Sequence, residues 1–254
     1  MNWHNKEFHK ILCDCFKNEL PGLESHLLLA PEARRDDMSN YSKHKTAVKS
    51  SVLLLFYKKR KEPYVGNKLT IEKGCNSRHK WDYTNELNRL LSEEYYLVFI
   101  KRPVYNGVHS GQISFPGGKW ETTDKSLYHT ALREAREEIG IHPERVTFIG
   151  KLTDLYIPPS NYVVSPFVGT YSGNCNFFPN PKEVESIIEI PASFLLHEND
   201  PPFQSMNISL YDGSRLNVPG ICFHKNIIWG ATAMILNEFF LLWKSTVNNR
   251  CFER

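Results

Sequence analysis

Hydrophobic and polar residues follow one another along this chain in segments that predict a mixture of strands and helices. Two short, nearly continuous apolar runs, 51–57 and 96–101, are typical of strands buried on both faces of a sheet. Apolar residues at helical spacing over 7–18 predict an amphipathic helix near the start of the chain. The apolar run 227–243 predicts a buried helix, because it contains an asparagine and a glutamate and is too short to span a bilayer.

Polar segments separate these elements. Residues 30–42 are polar and contain a proline, which predicts a connector that belongs to an N-terminal helical extension over about 1–45. The segment 58–95, between the two predicted strands, is rich in charge and contains glycine and proline, and its residues 82–92 have a helical pattern. A length of 254 residues suits one domain with appendages, so we expect a single domain over 1–254.

The strongest helical pattern precedes Gly140. Apolar side chains recur there at helical spacing, at Leu127, Ala131, Leu132, Ala135 and Ile139. Asp124 is the predicted N-cap, and Gly140 is predicted to end the helix in a left-handed conformation before His142-Pro143. Ahead of the helix, 112–115 predicts a short strand and 116–118 a tight glycine turn, at which backbone can approach a phosphate or a metal closely.

Three glutamates on this helix, Glu134, Glu137 and Glu138, lie within an arc of roughly 100°. Like charges three and four residues apart destabilise a helix by roughly 0.2–0.5 kcal/mol per pair, and the C-terminal end of a helix favours cations over anions. A bound Mg²⁺ or Mn²⁺ would reverse both effects, since such ions take oxygen ligands. The alternative is a solvated charged face on which Arg133 and Arg136 neutralise the acids.

Composition narrows the classes of function. The 254 residues can bury a sizeable core, and 41% hydrophobic with 23% charged residues is typical of a soluble globular protein. A net charge of +3 is too small to indicate a nucleic-acid partner, although it allows a local basic pocket for an acidic substrate. The six cysteines lack the paired spacing of zinc sites, and the first residues lack the apolar core of a signal peptide. We therefore expect free thiols, a cytoplasmic location and no membrane partner.

The segment from Gly117 to Ile141 resembles the Nudix box, the signature of the Nudix hydrolases. Arg133 to Ile141 match the second half of this signature in full. The first half has Asp124 where the family has glutamate, one residue farther from the arginine, and this departure resembles the coenzyme A (CoA) pyrophosphatase branch of the family. Other segments are similar to that branch in the same order: HSGQISFPGG (109–118), TALREAREE (130–138), NYVVSPFVG (161–169), the EV of PKEVESIIEIP (181–191) and IIWGATAMIL (227–236).

This resemblance implies an α/β (α+β) fold, a Nudix-type α/β/α sandwich with a mixed sheet between helices. It implies hydrolysis of CoA or an acyl-CoA to 3′,5′-ADP and 4′-(acyl)phosphopantetheine, with Mg²⁺ or Mn²⁺ as the cofactor. Because related enzymes join the corresponding strands by a shorter link, 58–95 is expected to be an insertion.

Two alternatives to the CoA reaction stay open. One is a Nudix pyrophosphatase for ADP-ribose or another nucleoside-diphosphate derivative. The other is a non-catalytic Nudix-fold ligand-binding module, against which the complete set of three acids argues. The expected partner is in every case a small molecule, and the sequence leaves a homodimer open.

The resemblance also implies roles for individual residues. The expected metal ligands are Gly118, through its carbonyl oxygen, and Glu134, Glu137 and Glu138. Arg133 is expected to orient a glutamate through a charge-assisted hydrogen bond. The expected general base is Glu134 or Glu183, and the alternative for Glu183 is a solvated loop residue.

Three residues are expected to contact the substrate: Arg102, His109 and Gln112. Arg102 follows the second strand and could meet a phosphate, with Lys101 directed the opposite way if the strand is regular. His109 and Gln112 belong to the leader of the box, and a structural role in holding that loop is their alternative.

Five further residues are weaker candidates. Tyr162 and Phe167 could line an adenine or pantetheine pocket, although aromatic residues in such a run are more often core. Trp229 is expected in the core. Glu185 and Glu189 are weaker candidates than Glu183 for the general base, and their alternative is to face solvent, because the residues around them alternate as in a strand.

Overall fold

A mixed sheet of eight strands forms the centre of the molecule. The computed structural model describes residues 3–40, 45–59, 95–107, 109–173, 176–196, 203–209 and 213–252. The strands of the sheet are β1 (Val48–Lys58), β2 (Tyr95–Lys101), β3 (Ile113–Ser114), β4 (Gly117–Lys119), β5 (Val146–Lys151), β6 (Leu155–Ile157), β7 (Tyr162–Tyr171) and β8 (Ser186–Pro191).

The strand order places the longest strands in the middle. The main order is β3-β2-β1-β7-β5, with β4 paired to β1, β6 to β7 and β8 to β2. Strands β1 and β7 are parallel, and the other pairs are antiparallel. On this edge, β1 pairs with β2 at residues 56–58 and with β4 at residues 50–52. The strands β2 and β4 therefore lie beside different ends of β1.

Among the described residues, six helices and a smaller sheet surround this centre. The helices are α1 (Trp3–Cys15), α2 (Gly22–Leu27), α3 (Arg35–Ser39), α4 (Leu127–Ile139), α5 (Ala192–Leu195) and α6 (Gly230–Phe252). Short 3₁₀ turns occur at Glu32–Arg34, Pro143–Arg145 and Pro158–Ser160. The smaller antiparallel sheet consists of β9 (Gln204–Ser209), β10 (Arg215–Phe223) and β11 (Asn226–Trp229). No helix of the described residues is both long and apolar enough to cross a membrane.

Alternate residues of β1 pack into two different cores. Leu54 and Phe56 belong to the core that contains residues of α1 and α6, and Phe56 contacts Phe239. Leu53 and Leu55 belong to the core formed with α4. Successive side chains of a strand point to opposite faces, so the two cores lie on the two faces of the sheet. The predicted α/β/α sandwich with a mixed sheet between helices is therefore confirmed.

Several predicted elements have different bounds. The two buried strands extend to Val48–Lys58 and Tyr95–Lys101, and the N-terminal helix ends at Cys15. The connector 30–42 contains a 3₁₀ turn and α3. The prediction of one helix over 227–243 is wrong, because β11 occupies the start of this run and α6 begins at Gly230, which has a left-handed φ of +62°.

The predicted insertion 58–95 and the helical pattern at 82–92 fall almost wholly on residues outside those described. They stay predictions, as does the single domain. Three cysteines have described side chains, Cys13, Cys15 and Cys222, and all three are free thiols, as predicted.

Candidate metal-binding and active site

Helix α4 carries the acids of the site, and its ends are defined by Ser126 and Gly140. The Ser126 side-chain oxygen accepts a hydrogen bond from the His129 backbone N–H at 3.3 Å, so Ser126 is the N-cap. Gly140 ends the helix with φ of +73°, as predicted, and its N–H donates to the Arg136 carbonyl. The prediction of Asp124 as the N-cap is wrong, because its carboxylate binds other donors.

Asp124 anchors an arginine of the helix. Nε and Nη2 of Arg133 donate to the two carboxylate oxygens of Asp124 at 3.0 and 3.1 Å. The backbone N–H of Glu121 and the hydroxyl of Thr130 also donate to this carboxylate. The hydrogen bonds from Arg133 are the main reason why the pKa of Asp124 falls to about 2. Asp124 is therefore a permanent anion that fixes the guanidinium.

The anchored Arg133 guanidinium contacts two glutamates of its own helix. Its Nη1 lies 3.0 Å from Glu134 Oε1 and 3.1 Å from Glu137 Oε2. Its Nη2 donates to the Lys119 carbonyl at 3.0 Å. This geometry agrees with the role expected for Arg133, which is to orient a glutamate instead of touching the substrate.

Three carboxylates converge beside the glycine pair of β4. Glu134, Glu138 and Glu183 each have a carboxylate oxygen within 4.8 Å of the corresponding oxygens of the other two. Glu138 is 2% exposed and the Glu134 side chain 13%, whereas Glu183 is exposed. The sequence placed the first two on one helix face, and the structure adds Glu183 from a distant loop.

Backbone hydrogen bonds bring the Glu183 loop to the end of α4. The N–H groups of Phe178 and Asn180 donate to the carbonyls of Ile139 and Glu138 at 3.0 and 2.9 Å. The Glu183 N–H then donates to the Asn180 carbonyl at 3.0 Å, and the Asn180 side chain donates to Glu183 Oε1 at 3.3 Å. The last carbonyls of a helix have no hydrogen-bond partner within the helix. In α4, two of these carbonyls bind the loop that carries Glu183.

Burial makes the negative charge of the cluster unfavourable without a cation. Desolvation raises the pKa of Glu138 to about 8, although the Gly117 N–H donates to its Oε2 at 2.8 Å and Arg102 favours the anion. Desolvation also raises the pKa of Glu134, against the opposing charge of Arg133. Raised pKa values of this kind are typical of buried carboxylates at functional sites, where a bound cation would stabilise the ionised form.

The glycine pair lies against these acids. Gly117 and Gly118 pair with Val52 and Ser51 as part of β4, so the predicted tight turn is wrong. A Cβ on Gly118 would lie 2.5 Å from the Glu134 carboxylate carbon, and one on Gly117 would lie 2.2 Å from the Ser51 carbonyl oxygen. Gly117 is required because a Cβ there would meet backbone of β1, whereas a Cβ at Gly118 would displace the Glu134 carboxylate.

Glu137 is not part of the convergent group. Its side chain is 50% exposed and pairs with Arg133, so its expected role as a metal ligand stays a prediction. Glu134, Glu138 and Glu183 do fit a hard divalent cation, because their oxygens converge and two of the three side chains are largely desolvated. Mg²⁺ and Mn²⁺ both satisfy this description.

A cavity of about 470 Å³ adjoins the glycine pair. This volume is within the range of small-molecule sites. Its walls come from the N-terminal segment 29–38, from β1, β4, β6, β7 and β10, and from the start of α6. Most wall residues are apolar, and its cations are Arg34, Arg102 and Lys119. No described aspartate or glutamate lines the cavity.

All three predicted substrate-binding residues line this cavity: Arg102, His109 and Gln112. The ring Nδ1 of His109 lies 3.1 Å from Gln112 Oε1, so these two residues also support each other, as their structural alternative proposed. Lys101 points elsewhere and pairs with Glu185 at 2.5 Å. Their contact with a substrate stays a prediction.

The aromatic candidates divide between cavity and core. Tyr162 lines the cavity, whereas Phe167 is buried in the core beneath α4. The expectation that Trp229 is a core residue is wrong: it is partly exposed and lines both this cavity and a second one of about 450 Å³. Trp229 is the last residue of β11, and the pairing of β11 with β10 places it in the cavity wall.

Two cationic wall residues, Arg34 and Lys119, were absent from the predicted site. Lys119 directly follows the glycine pair, which is a signal that could have identified it. Arg34 is remote in sequence and carries no local signal. Glu189 is partly exposed, and its carboxylate accepts from the Tyr57 hydroxyl and pairs with Lys59 at 2.8 Å.

Comparison with known proteins adds similarity at the level of sequence. The NUDIX domain family matches residues 89–198. The Nudix hydrolase NudL of Yersinia pestis is 37% identical over 149 residues, which cover 56% of this chain and 69% of NudL. NudL of Yersinia pseudotuberculosis gives the same figures.

Solved structures are more distant. A MutT/nudix family protein from Enterococcus faecalis aligns over 89% of this chain and 71% of its own, with 12% identity and a TM-score of 0.41. The NUDIX domain of Shewanella oneidensis NrtR, complexed with ADP ribose, aligns over 64% and 84%, with 15% identity and a TM-score of 0.37. Likenesses at this level carry no argument about the ligand of this chain.

Proposed function

Because this chain belongs to the Nudix family, whose hydrolases act on pyrophosphate bonds and generally need divalent metal ions, we propose that it hydrolyses coenzyme A or an acyl-CoA. The products would be adenosine 3′,5′-bisphosphate and 4′-phosphopantetheine or its acylated form. The sequence from His109 to Gly118 and the Asp124 variant of the box support this choice within the family.

The single observation that carries the proposal is the cavity beside the glycine pair. Three cations and no described acid line it, so it suits the phosphorylated part of a ligand. The surfaces of Tyr162 and Trp229 provide flat apolar area for a base. Of the nucleoside-diphosphate compounds considered, CoA carries an additional phosphate on the nucleoside, which matches a wall of this charge.

Glu134, Glu138 and Glu183 would hold the metal, with the Gly118 carbonyl and Glu137 as further proposed ligands. A bound Mg²⁺ or Mn²⁺ would neutralise the diphosphate and increase the acidity of the attacking water. Glu137 could join only by leaving Arg133, with which it pairs at 3.1 Å.

Arg133 is proposed as a positioning residue. Asp124 fixes the guanidinium from one side, and its Nη1 lies 3.0 Å from Glu134 Oε1 on the other. The second Glu134 oxygen is thereby left for a ligand or a proton. Glu134 and Glu183 are the two proposed general bases, since both carboxylates border the space between the glycine pair and the exposed loop.

A metal-dependent assay with a panel of substrates tests this function. CoA, an acyl-CoA and ADP-ribose are incubated with the protein and Mg²⁺ or Mn²⁺, and the products are identified by mass. We expect the greatest kcat/KM for CoA or the acyl-CoA. Faster turnover of ADP-ribose would overturn the CoA assignment, and binding of CoA without turnover of any compound would support a non-catalytic module.

Variants connect the turnover to the acid cluster. Glu138→Gln keeps the size of the side chain and removes the charge, so we expect a loss of metal affinity and at least about a hundredfold lower kcat. Glu144→Gln is the matched control, because Glu144 is exposed and lies outside the cluster. Equal activity of both variants would contradict the assignment of the cluster as the metal site.

A further inference from the structure

The floor of the cavity crosses four strands of the sheet. Lys119 of β4 pairs with Ser50 of β1, Ser50 with Val164 of β7, and Val164 with Leu155 of β6. All four residues line the cavity. Neighbouring strands lie about 4.8 Å apart, so this row extends over roughly 14 Å from the glycine strand to β6.

The N-terminal segment closes the β6 end of this row. Helix α3 packs against β6, and Leu29, Pro31, Arg34 and Met38 line the cavity from this side. The matched Nudix region begins at residue 89, so this wall is an addition to the part of the chain that carries the acids. The cavity therefore has the proposed catalytic cluster at one end and the N-terminal segment at the other.

Arg34 is the cation of that wall. It ends the 3₁₀ turn Glu32–Arg34, is exposed, and forms no ion pair with any residue that the structure describes. The other charged residues of the lining are Arg102 and Lys119, and no described aspartate or glutamate lines the cavity, although Glu138 attracts Arg102 from outside the lining. Positive charges around one cavity favour the entry of an anion.

Unpartnered hydroxyls also mark the cavity as a ligand site. Four buried side-chain atoms of the described residues lack a hydrogen-bond partner, and three are the hydroxyl oxygens of Ser51, Ser114 and Ser160. All three serines line this cavity. Buried polar groups normally have partners, so water or a polar ligand is expected beside them.

We propose that Arg34 binds a phosphate group of the substrate other than the two joined by the cleaved bond. The chemical class is a phosphomonoester on the nucleoside, such as the 3′-phosphate of CoA. The planar guanidinium can donate two parallel hydrogen bonds to phosphate, which suits a dianionic monoester. Arg34 is thus a specificity-determining residue, and this inference rests on the proposed function.

Binding of nucleotides without metal tests the inference apart from catalysis. Adenosine 3′,5′-bisphosphate and 5′-AMP are compared by isothermal titration calorimetry with the wild-type protein and with Arg34→Ala. We expect the wild type to bind the bisphosphate at least about tenfold more tightly than AMP, and Arg34→Ala to bind the two within about twofold of each other.

Arg35→Ala is the matched control. Arg35 is the next residue, carries the same charge and is also exposed, but it does not line the cavity, and its Nε donates to the Ala30 carbonyl. We expect this variant to keep the preference for the bisphosphate. Arg34→Lys, which keeps the charge without the planar fork, should bind the bisphosphate with an intermediate preference. It also serves if Arg34→Ala fails to fold.

Three outcomes would overturn the role of Arg34: equal affinities in the wild type, an unchanged preference in Arg34→Ala and Arg34→Lys, or an equal loss in Arg35→Ala. Failure of the proposed function gives a different result, namely no hydrolysis of CoA or acyl-CoA with Mg²⁺ or Mn²⁺. If CoA is hydrolysed, kcat/KM for CoA relative to dephospho-CoA should fall about tenfold in Arg34→Ala and stay unchanged in Arg35→Ala.

Discussion

At the scale of single residues, the pairing of Asp124 with Arg133 explains the unusual first half of the box. Both carboxylate oxygens of Asp124 accept from the guanidinium, and its side chain is only 5% exposed. The residue that departs from the family pattern therefore positions the arginine that contacts Glu134. Sequence alone could not distinguish this role from an N-cap, because Asp124 and Ser126 are both capping residue types two positions apart.

Asp124→Asn should lower the free energy of unfolding at pH 7 by about 1.5–3 kcal/mol, since a charge-assisted pair is replaced by a neutral contact. The pKa of Asp124 in the folded protein is depressed, to about 2. Its stabilisation is therefore full above the ordinary value near 4 and is lost as the pH falls towards 2. Urea unfolding of both proteins at pH 7 and pH 3 measures this.

The control for this comparison is Asp36→Asn, which removes the same charge from an exposed position. It should leave the free energy of unfolding nearly unchanged. A difference between wild type and Asp124→Asn that does not shrink at low pH would contradict the electrostatic explanation.

Glu138 should release its proton when the metal binds. The pKa of its buried carboxyl is about 8 in the metal-free protein, so most of this group is protonated at pH 7 and must ionise to bind a cation. We expect close to one proton per metal ion at pH 7 and almost none at pH 9.5. Calorimetry of Mn²⁺ binding in buffers with different ionisation enthalpies counts these protons.

Glu138→Gln should reduce the number of protons released at pH 7. A heat of Mn²⁺ binding that is the same in every buffer would argue against a protonated Glu138 in the metal-free state. The raised pKa of Glu134 would add to the release in the same direction.

At the scale of elements, hydrophobic periodicity predicted a helix correctly where only one of its faces is buried. It failed where most residues of an apolar segment are buried. Helix α4 has an apolar stripe, and the structure places it at Leu127–Ile139 as the pattern indicated. The run 227–243 is apolar at most positions and lacks a polar face, so nothing in its periodicity separates β11 from the start of α6. Pairing of β11 with β10 decides that boundary.

The glycine pair of β4 allows stability and metal binding to be separated. Gly118→Ala would place a methyl group 2.5 Å from the Glu134 carboxylate carbon, so Glu134 must move. We expect at least about tenfold weaker Mn²⁺ binding, measured by calorimetry, with a small change in Tm.

Gly117→Ala is the companion to this variant. Its methyl group would meet the Ser51 carbonyl oxygen at 2.2 Å, which is backbone and cannot turn aside. We expect it to lower the free energy of unfolding by about 1–3 kcal/mol through strain in the β1–β4 pairing. A greater loss of stability in Gly118→Ala than in Gly117→Ala, together with an unchanged metal affinity of Gly118→Ala, would contradict these separate roles of the two glycines.

At the scale of the whole molecule, a buried pair ties the N-terminal segment to the C-terminal helix. Nε2 of His26 lies 2.9 Å from Glu238 Oε2, and neither side chain is exposed. The Glu238 carboxylate also accepts from the backbone N–H groups of Gly22 and Thr153. One glutamate thus joins α2, α6 and the turn before β6. The segment 29–38 that follows α2, the strand β6 and the start of α6 line the cavity.

His26→Ala should lower the free energy of unfolding by about 2–4 kcal/mol, because it opens a small void and leaves the buried Glu238 with fewer partners. It should also loosen the segment 29–38, and so weaken binding of adenosine 3′,5′-bisphosphate. Urea unfolding and limited proteolysis measure the two effects. His142→Ala is the control, since His142 is 61% exposed; a loss of similar size in this control would refute the proposed tie.

The sequence by itself determined the family, the box helix and the two central strands, because these depend on short-range spacing and on continuous apolar runs. It also identified Glu134 and Glu138, which local periodicity places on one helix face. Only the tertiary structure decided which other groups meet them. Glu183 reaches the cluster through hydrogen bonds to the end of α4, Glu137 turns to Arg133, and Arg34 reaches the cavity because its segment packs on β6. Such contacts join residues that are far apart in the chain. Their energies depend on burial and on the partners of each group, which the spacing of residues along the sequence does not determine.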